Sequence, residues 1–359
     1  MICCSFCFKD PEIKDVIKSL HNTGDCEVCD KRNTFVYDTT EPNKDLIQLF
    51  EGLLEVYRST SLLPEGFPKE ERDFLRNDLY ERWNIFNIDK EKIGPLMKNI
   101  CFQKYLEDPD LFDEPVGIIS LHKDDYIKNS ILKNNTWEDF VKGIKHHNRF
   151  HTDYFNLDVF ELFLKFSQKS YSKNETFFRA RISNSDGLTL DKMGAPPMHL
   201  ASDGRVNASG ISCLYVSDDR ETTIREIRAG AHDYVTIGKF KLLEDITIVD
   251  LMNLHQISPF KTIDIIDFSQ HAVNRKHLEK IGREIAKPLR RQDSALDYLP
   301  TQYISDFIKS RGFQGIEYTS TLHEGGRNMA IFNQELLECT EVSVVKIKEV
   351  NYSHVPQVR

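Results

Sequence analysis

The feature that most constrains the fold of this chain is the segment from residue 177 to residue 228, where charged residues lie next to predicted changes of local structure. It opens on Arg179 and Arg181 in a strand-like run, passes through a loop rich in glycine, proline and asparagine, and ends on a helical run that carries Glu226. Far downstream, Ser320 stands between a strand-like run and a glycine turn. Arginine, glutamate and serine at the edges of regular elements are typical of a pocket for an anionic nucleotide, because a guanidinium grips phosphate in two places.

The same segment resembles a known family, the RES domain. The resemblance rests on an RxR opening, an MGAPP…GRxNxxG loop, an LYxS strand, an ETxxxE helix and a GFxGIxYxS…GGxN element, which occur in this order. It covers about residues 175–335, roughly half of the chain, and the combination is specific although no single piece is. The resemblance implies four candidate catalytic residues: Arg179, Tyr215, Glu226 and Ser320.

The resemblance also implies a fold and an activity. RES domains are similar to ADP-ribosyltransferases in fold and degrade NAD, several of them by phosphorolysis. NAD is therefore the implied substrate, cleaved at the nicotinamide–ribose bond with phosphate or water as acceptor. A toxin-like role is implied as well, with growth arrest as the outcome, for instance in phage defence. An antitoxin, a regulatory protein or another part of the chain would restrain such an activity.

Glu226 is the residue we expect to support bond cleavage. Nicotinamide leaves as a neutral base, so the enzyme needs a carboxylate that stabilises a ribose oxocarbenium ion more than it needs an acid. In the helical run, Ile224 and Ile227 are expected to face the core and Glu226 a cleft. Without the resemblance, a glutamate here would more simply pair with an arginine on a solvated helix. Ser320 is expected to bind ribose or phosphate, because no general base for a nucleophile is apparent nearby.

Arg179 is the position that matches the family's arginine, and strand alternation puts Arg181 on the same face as its backup. The alternative for a strand arginine is a surface salt bridge. Tyr215 ends an apolar run and is expected to stack on nicotinamide or to hydrogen-bond to the ribose, the alternative being a core tyrosine. Two weaker candidates for the phosphate channel are Arg205 and Asn328.

From about residue 173 to 359 short β-like runs alternate with helices near 219–230, 273–286 and 300–311. This pattern predicts an α+β domain with an antiparallel or mixed sheet, flanking helices and a C-terminal strand. Neither GxGxxG nor a P-loop occurs, which excludes those nucleotide-binding folds. Tyr303 only loosely resembles a position of related transferases, and the stretch 250–300 offers no residue with an assignable role.

The first 38 residues hold five of the eight cysteines. Two CxxC pairs, separated by 18 residues, predict a structural zinc ribbon, because two-residue spacing lets both thiolates of a pair reach one tetrahedral ion. A disulfide and chance clustering are the alternatives, and Cys3 is a spare that could replace Cys4 with slightly worse spacing. The predicted zinc ligands are Cys4, Cys7, Cys26 and Cys29. Between the pairs we predict a helix that ends near Gly24.

The spacing of apolar residues in the region 39–172 predicts a helical domain. After a cap at Asn43, apolar residues continue at helical spacing as far as Tyr57, and we expect the aromatic residues of this region to form core. The arrangement resembles proteins with an N-terminal HEPN/RES-type region. HEPN ribonucleases need an RxxxxH motif, which is missing here, so the histidines of 146–151 are expected to form a polar helix face.

The net charge of −9 argues against binding driven by nucleic-acid phosphates, although a local basic patch could form around Arg283–Arg291. No run is apolar enough for a membrane helix, and the start lacks the features of a signal peptide, which favours a cytoplasmic protein. Homo-oligomerisation stays open.

Two other functions fit the same residues. The chain could be an ADP-ribosyltransferase that labels a macromolecule, in which case the acceptor would carry the product. It could also be a non-catalytic module that senses a nucleotide, in which case NAD would stay intact on incubation.

Overall fold

The computed structural model describes residues 1–287 and 294–351 of the 359-residue chain, so the basic patch expected around Arg283–Arg291 lies partly outside the described residues. The described helices are α1 Pro11–Ser19, α2 Lys44–Leu54, α3 Leu75–Glu81, α4 Lys90–Ile100, α5 Phe102–Glu107, α6 Asp110–Asp113, α7 Asp124–Lys128, α8 Trp137–His146, α9 Leu157–Phe166, α10 Arg220–Glu226, α11 Phe268–Ala286 and α12 Leu299–Ser310. The described strands are β1 Ile2–Cys4, β2 Thr23–Gly24, β3 Thr34–Asp38, β4 Tyr57–Ser59, β5 Asp73–Phe74, β6 Pro115–Ile118, β7 Gln168–Tyr171, β8 Thr176–Ser183, β9 Leu214–Ser217, β10 Tyr234–Leu242, β11 Ile246–Asp250, β12 Gly315–Thr319, β13 Arg327–Ile331 and β14 Leu337–Lys346.

The chain forms two compact units, each built from segments that are distant in sequence. The first unit comprises Met1–Asn134, Asp158–Leu162 and His255–His277. The second comprises Asn135–Leu157, Phe163–Leu254 and the described residues from Leu278 onward. The domain boundaries expected near residues 38 and 172 stay predictions.

The first unit begins with a three-stranded antiparallel sheet in the order β1-β3-β2. Helix α1 begins behind Asp10, whose carboxylate accepts hydrogen bonds from the first turn, with Pro11 at the position where its missing N–H costs nothing. The helix ends at Ser19, earlier than the predicted end near Gly24, because residues 23–24 pair with β3.

The region 39–172 contains more than helices. Asn43 caps α2 as predicted, since its Oδ1 accepts a hydrogen bond from Leu46 N at 2.8 Å. Helix α2 ends at Leu54, however, and Tyr57 lies in β4 of a second three-stranded sheet, order β4-β6-β5. Strands of two to four residues are too short to interrupt a helical spacing pattern visibly, which is why the sequence did not predict this sheet.

Aromatic residues form the core of the first unit, as predicted. Phe8, Phe50 and Phe86 are fully buried, with ring centroids 5.1 to 6.1 Å apart. Contacts at these distances are typical of aromatic packing in a protein core.

An eight-stranded sheet dominates the second unit, in the order β14-β10-β8-β9-β13-β12-β11-β7. The pair β11–β12 is parallel and the other neighbours are antiparallel, so the predicted mixed α+β domain with flanking helices is confirmed. Ile224 of α10 and Ile227, which directly follows this helix, pack against Ala180, Val235 and Ile237 of the sheet, as expected.

Helix α8 also belongs to the second unit and begins with a capping box formed by Thr136 and Asp139. It ends at His146, so most of the histidine cluster of 146–151 lies beyond the helix instead of on its face. Among the described helices, none is both long and apolar enough to cross a membrane.

Candidate active site

Three neighbouring central strands bring the candidate residues of the second unit together. Arg179 lies on β8, Tyr215 on β9 and Asn328 on β13, and β9 stands between the other two in the sheet. Helix α10 begins at the cap Asp219, which accepts a hydrogen bond from Thr222 N, and its last residue is Glu226. Four residues distant in sequence thus converge because the sheet order places their strands side by side.

The carboxylate of Glu226 is held by two neutral donors. Ser320 Oγ and Asn328 Nδ2 each donate a hydrogen bond to Oε1 at a distance of 2.7 Å. The other oxygen, Oε2, lies 3.9 Å from a terminal nitrogen of Arg205, and the Glu226 side chain keeps 20% of its surface exposed. Both donors are nearly buried, so the carboxylate has a fixed orientation while one edge faces the cleft.

Ser320 therefore has a different environment from the expected one. The expectation of no base near it was wrong, because its hydroxyl donates to a carboxylate. Its Oγ also accepts hydrogen bonds from Leu322 N at 3.2 Å and His323 N at 3.1 Å, which closes the turn after β12. With 4% of its surface exposed, Ser320 is placed to orient Glu226.

Arg179 is a half-buried cation whose hydrogen bonds are incomplete. One terminal nitrogen donates to Tyr215 O at 2.9 Å, whereas Nε is buried and has no acceptor among the described residues. Burial, and secondarily the charge of Arg181, lower the pKa of Arg179 to about 10, so the guanidinium remains charged at neutral pH. An unsatisfied buried donor beside a cleft is costly unless a ligand completes it.

Arg181 does not join the site. Its side chain is exposed, and a terminal nitrogen donates to Lys192 O at 2.5 Å, away from the residues that line the cleft. Tyr303, the loosely matched position on α12, also lies elsewhere, because its ring packs against Phe140 and Phe155.

Tyr215 is locked by the loop that precedes it. Its hydroxyl donates to Asn207 Oδ1 at 2.6 Å, and burial raises its pKa well above the usual value, which keeps the phenol neutral. Gly204 closes over this pair: a Cβ there would lie 2.5 Å from both the Tyr215 hydroxyl and Asn207 Oδ1. The ring thus takes part in lining the cleft while its hydroxyl is already used.

Gln302 of α12 is a residue of the site that the sequence did not reveal. Its Nε2 donates to the carbonyl oxygens of Gly204 and Asn207, both at 2.9 Å, and Ser305 one turn later donates to Val206 O at 2.7 Å. These hydrogen bonds fix the loop that contains Gly204, Val206 and Asn207. A glutamine on a helix carries no signal in sequence that distinguishes this buried role from an exposed one.

The loop held by Gln302 presents Arg205 to the cleft. One terminal nitrogen of Arg205 donates to Ala286 O at 2.8 Å, and its guanidinium lies 5.1 Å from the centre of the Tyr318 ring. Arg205, a weak candidate in sequence, is therefore the arginine beside Glu226.

These residues enclose a cleft of about 270 Å³. It contains one oriented carboxylate, two arginines and three tyrosines, a set suited to a ligand with phosphates and a positively charged ring. The residues named so far that line it are Arg179, Ala180, Gly204, Arg205, Tyr215, Ser217, Glu226, Ile227, Tyr318 and Asn328, and Tyr298 is the third tyrosine.

A second candidate site lies in the first unit. The sulfur atoms of the four predicted zinc ligands lie within 4.8 Å of one another, and four of the separations are 3.5, 3.5, 3.6 and 3.8 Å. A zinc ion bound at about 2.3 Å by four thiolates needs sulfur–sulfur distances of about 3.8 Å. The cluster Cys4, Cys7, Cys26 and Cys29 thus fits a tetrahedral metal, and Cys3 is not part of it.

Comparison with known proteins identifies the family of the second half of the chain. Residues 176–353 match the family model of the RES domain, and this part of the chain belongs to that family. A search of curated proteins finds no match. Among solved structures, the chain is similar to a chain in the crystal structure of the M. tuberculosis MbcT–MbcA toxin–antitoxin complex, with 13% identity and a TM-score of 0.33 over 54% of this chain and 94% of that one. A TM-score of this size does not establish a common fold.

Proposed function

We propose that the chain is an enzyme that degrades NAD by cleaving the bond between nicotinamide and ribose. The observation that carries this proposal is the carboxylate of Glu226, held by two hydrogen bonds in a cleft that also contains the half-buried guanidinium of Arg179. A transition state with oxocarbenium character needs a preorganised negative charge, and the phosphates of the substrate need a positive one. Membership of the RES family supports NAD as the substrate.

In the proposed reaction, the electron pair of the ribose–nitrogen bond moves to the nicotinamide ring, which leaves neutral. Glu226 stabilises the positive charge that develops on the ribose, and Ser320 and Asn328 keep its carboxylate in place. Addition of water then gives ADP-ribose and a proton, whereas phosphate gives the phosphate ester of ADP-ribose. Arg179 binds a substrate phosphate with the part of its side chain that lines the cleft, and the Tyr215 ring packs on the nicotinamide.

Product analysis tests this function directly. The purified protein is incubated with NAD, with and without inorganic phosphate, and the products are identified by mass spectrometry. Free nicotinamide with either ADP-ribose or its phosphate ester supports the proposal and distinguishes hydrolysis from phosphorolysis. Intact NAD after prolonged incubation would favour a non-catalytic sensing module. Label on the protein itself or on an added macromolecule would favour an ADP-ribosyltransferase.

Two substitutions separate the proposed roles. Glu226→Gln keeps the shape but removes the charge that faces the reacting ribose, so we expect kcat to fall by ~10²–10³-fold or more with NAD affinity largely kept. Arg179→Ala removes a contact made in both the ground state and the transition state, so KM and kcat/KM both worsen. Near wild-type turnover of Glu226→Gln would contradict the mechanism. Normal turnover of both variants would remove the catalytic assignment from this cleft.

The biological role we propose follows from the chemistry. Loss of NAD arrests growth, so the protein acts as a toxin-like enzyme in the cytoplasm, with defence against phage as one setting. We propose an ADP-ribosyltransferase-like fold for the second unit and restraint by an antitoxin, by a regulatory protein or by assembly with a second copy. Expression of the wild-type chain and of Glu226→Gln in parallel, with cellular NAD measured, tests whether arrest follows catalysis.

We also propose that the four-cysteine cluster binds one structural zinc ion. The observation that supports this is the fit of the sulfur separations to a tetrahedral site, given above. Four thiolates leave no position for substrate, so the ion would contribute to folding and not to the reaction. Metal analysis of protein purified without chelator should give one zinc per chain. Absence of zinc, or a disulfide between these cysteines, would contradict the assignment.

A further inference from the structure

The cleft at Glu226 is small for a dinucleotide. Its volume of about 270 Å³ lies below the ~300–1,000 Å³ of pockets that enclose drug-sized ligands. NAD consists of two nucleotides, so the cleft has room for the nicotinamide half and the neighbouring phosphate only. The adenosine monophosphate half must then extend beyond it.

A larger cleft of about 510 Å³ adjoins the first one. Tyr298 lines both clefts. Arg205 provides a second connection, because it donates to Ala286 O at the end of α11, while Glu284 and Lys287 at the same end of the helix line the larger cleft. The linings of the two clefts therefore meet at Tyr298.

The lining of the larger cleft has one more lysine than carboxylate, although the whole chain carries −9. Four lysines line it against three carboxylates. Lys280 illustrates how these cations are held: its ammonium lies 3.1 Å from Glu284 and 3.8 Å from Glu138, which orients the group and leaves it protons to donate. Tyr298, which is half-buried, adds aromatic surface on which a base can pack, and the largely buried Trp137 also lines the cleft. The four lysines are Lys142, Lys145, Lys280 and Lys287.

One wall of this cleft comes from α8, which precedes the matched RES residues 176–353. The wall is firmly held. Phe140 of α8 packs edge-on against Tyr303 of α12, with ring centroids 5.8 Å apart, and Lys145 is bonded to Asp297. The role of Tyr303 is thus to anchor this helix.

We propose that the cleft between α8, the end of α11 and the start of α12, here called the lysine cleft, binds the adenosine monophosphate half of NAD. This inference rests on the proposed function. It means that a helix outside the RES domain completes the substrate site, with the lysines binding the distal phosphate and the aromatic side chains contacting the adenosine.

The test compares NAD with nicotinamide mononucleotide, which lacks the adenosine monophosphate half. Lys280→Met removes one cation of the lysine cleft, and we expect the KM for NAD to rise on the order of tenfold, because a charge-assisted hydrogen bond to phosphate is lost. Turnover of the mononucleotide should not change. The control is Arg283→Met, which removes a cation that lies on the same helix, pairs with Glu279 and does not line the cleft.

AMP provides a readout that does not need turnover. Wild-type protein should bind AMP in calorimetry, and Lys280→Met should weaken that binding on the order of tenfold while Arg283→Met keeps it. Three results would overturn the proposal that the lysine cleft binds the adenosine monophosphate half. They are absence of AMP binding to the wild type, equal effects of the two variants, and an equal effect of Lys280→Met on both substrates. If NAD and the mononucleotide are both left intact but AMP binds as described, the proposed function is wrong, whereas the assignment of the lysine cleft as a site for adenosine monophosphate is kept.

Discussion

Ser320→Ala is the substitution whose effect follows most directly from the geometry. The change removes one of the two donors that hold Glu226 Oε1, at 2.7 Å, and leaves the other from Asn328. A hydrogen bond to a charged group contributes about 1.5–3 kcal/mol, and Ser320 is buried, so solvent does not replace it. Because each ~1.4 kcal/mol is a factor of ten in rate, we expect kcat/KM for NAD to fall by about 10- to 100-fold.

The loss should fall mainly on kcat. Ser320 acts on the charge that faces the reacting ribose, and that charge matters most in the transition state. Its effect should also depend on Glu226: in a Glu226→Gln background, Ser320→Ala should cost little more, because both changes act on one carboxylate. A serine whose role is only to stabilise the fold would show the same loss in both backgrounds.

The assay is initial-rate measurement of nicotinamide release, combined with urea unfolding of each variant. Ser167→Ala serves as the control, because this buried serine of the same unit donates to the carbonyl of Asp250 and does not line the cleft. It should lose stability without losing turnover beyond twofold. If folded Ser320→Ala releases nicotinamide within twofold of wild type, the hydrogen bond to Glu226 does not support catalysis and the argument is refuted.

Three further substitutions test the residues that hold the Glu226 cleft and the four-cysteine cluster in place. Gly204→Ala places a Cβ 2.5 Å from the Tyr215 hydroxyl, and we expect unfolding to be easier by about 1–3 kcal/mol, read from the urea midpoint, with reduced turnover. Gln302→Met removes the side-chain donor to the carbonyls of Gly204 and Asn207, of which Asn207 O keeps the hydrogen bond from Gly204 N. Its loss of turnover should vanish in an Arg205→Ala background if it acts through that arginine. Cys4→Ser should abolish zinc binding by metal analysis and lower the melting temperature, and full zinc content in this variant would contradict the ligand set.

Residue order was enough to predict the strand-and-helix frame of the second unit. Arg179, Glu226 and Asn328 were candidates through the resemblance to the RES family, and they line one cleft because each lies on a regular element of the second unit. The prediction that Arg181 faces the same cleft was wrong. Strand alternation constrains the direction of its Cβ only, and its long side chain bends to a carbonyl of the following loop.

The loop from 202 to 207 explains what could not be predicted. It has no period, so neither the position of Arg205 nor its anchoring by Gln302 could be derived from residue order. Both depend on the path of the chain between two regular elements. The cysteine cluster is the opposite case, since fixed CxxC spacing brought four sulfur atoms together as expected.

The sheet order has a consequence for how the protein is made. The strands that carry Arg179 and Asn328 are separated by a single strand in the sheet, yet the ribosome synthesises them almost 150 residues apart. Contacts of such high sequence separation form late and slowly in folding. A nascent or truncated chain that ends before residue 320 lacks both donors to Glu226. On the proposed function, a ribosome can therefore complete most of this protein without exposing the cell to an enzyme that consumes its NAD.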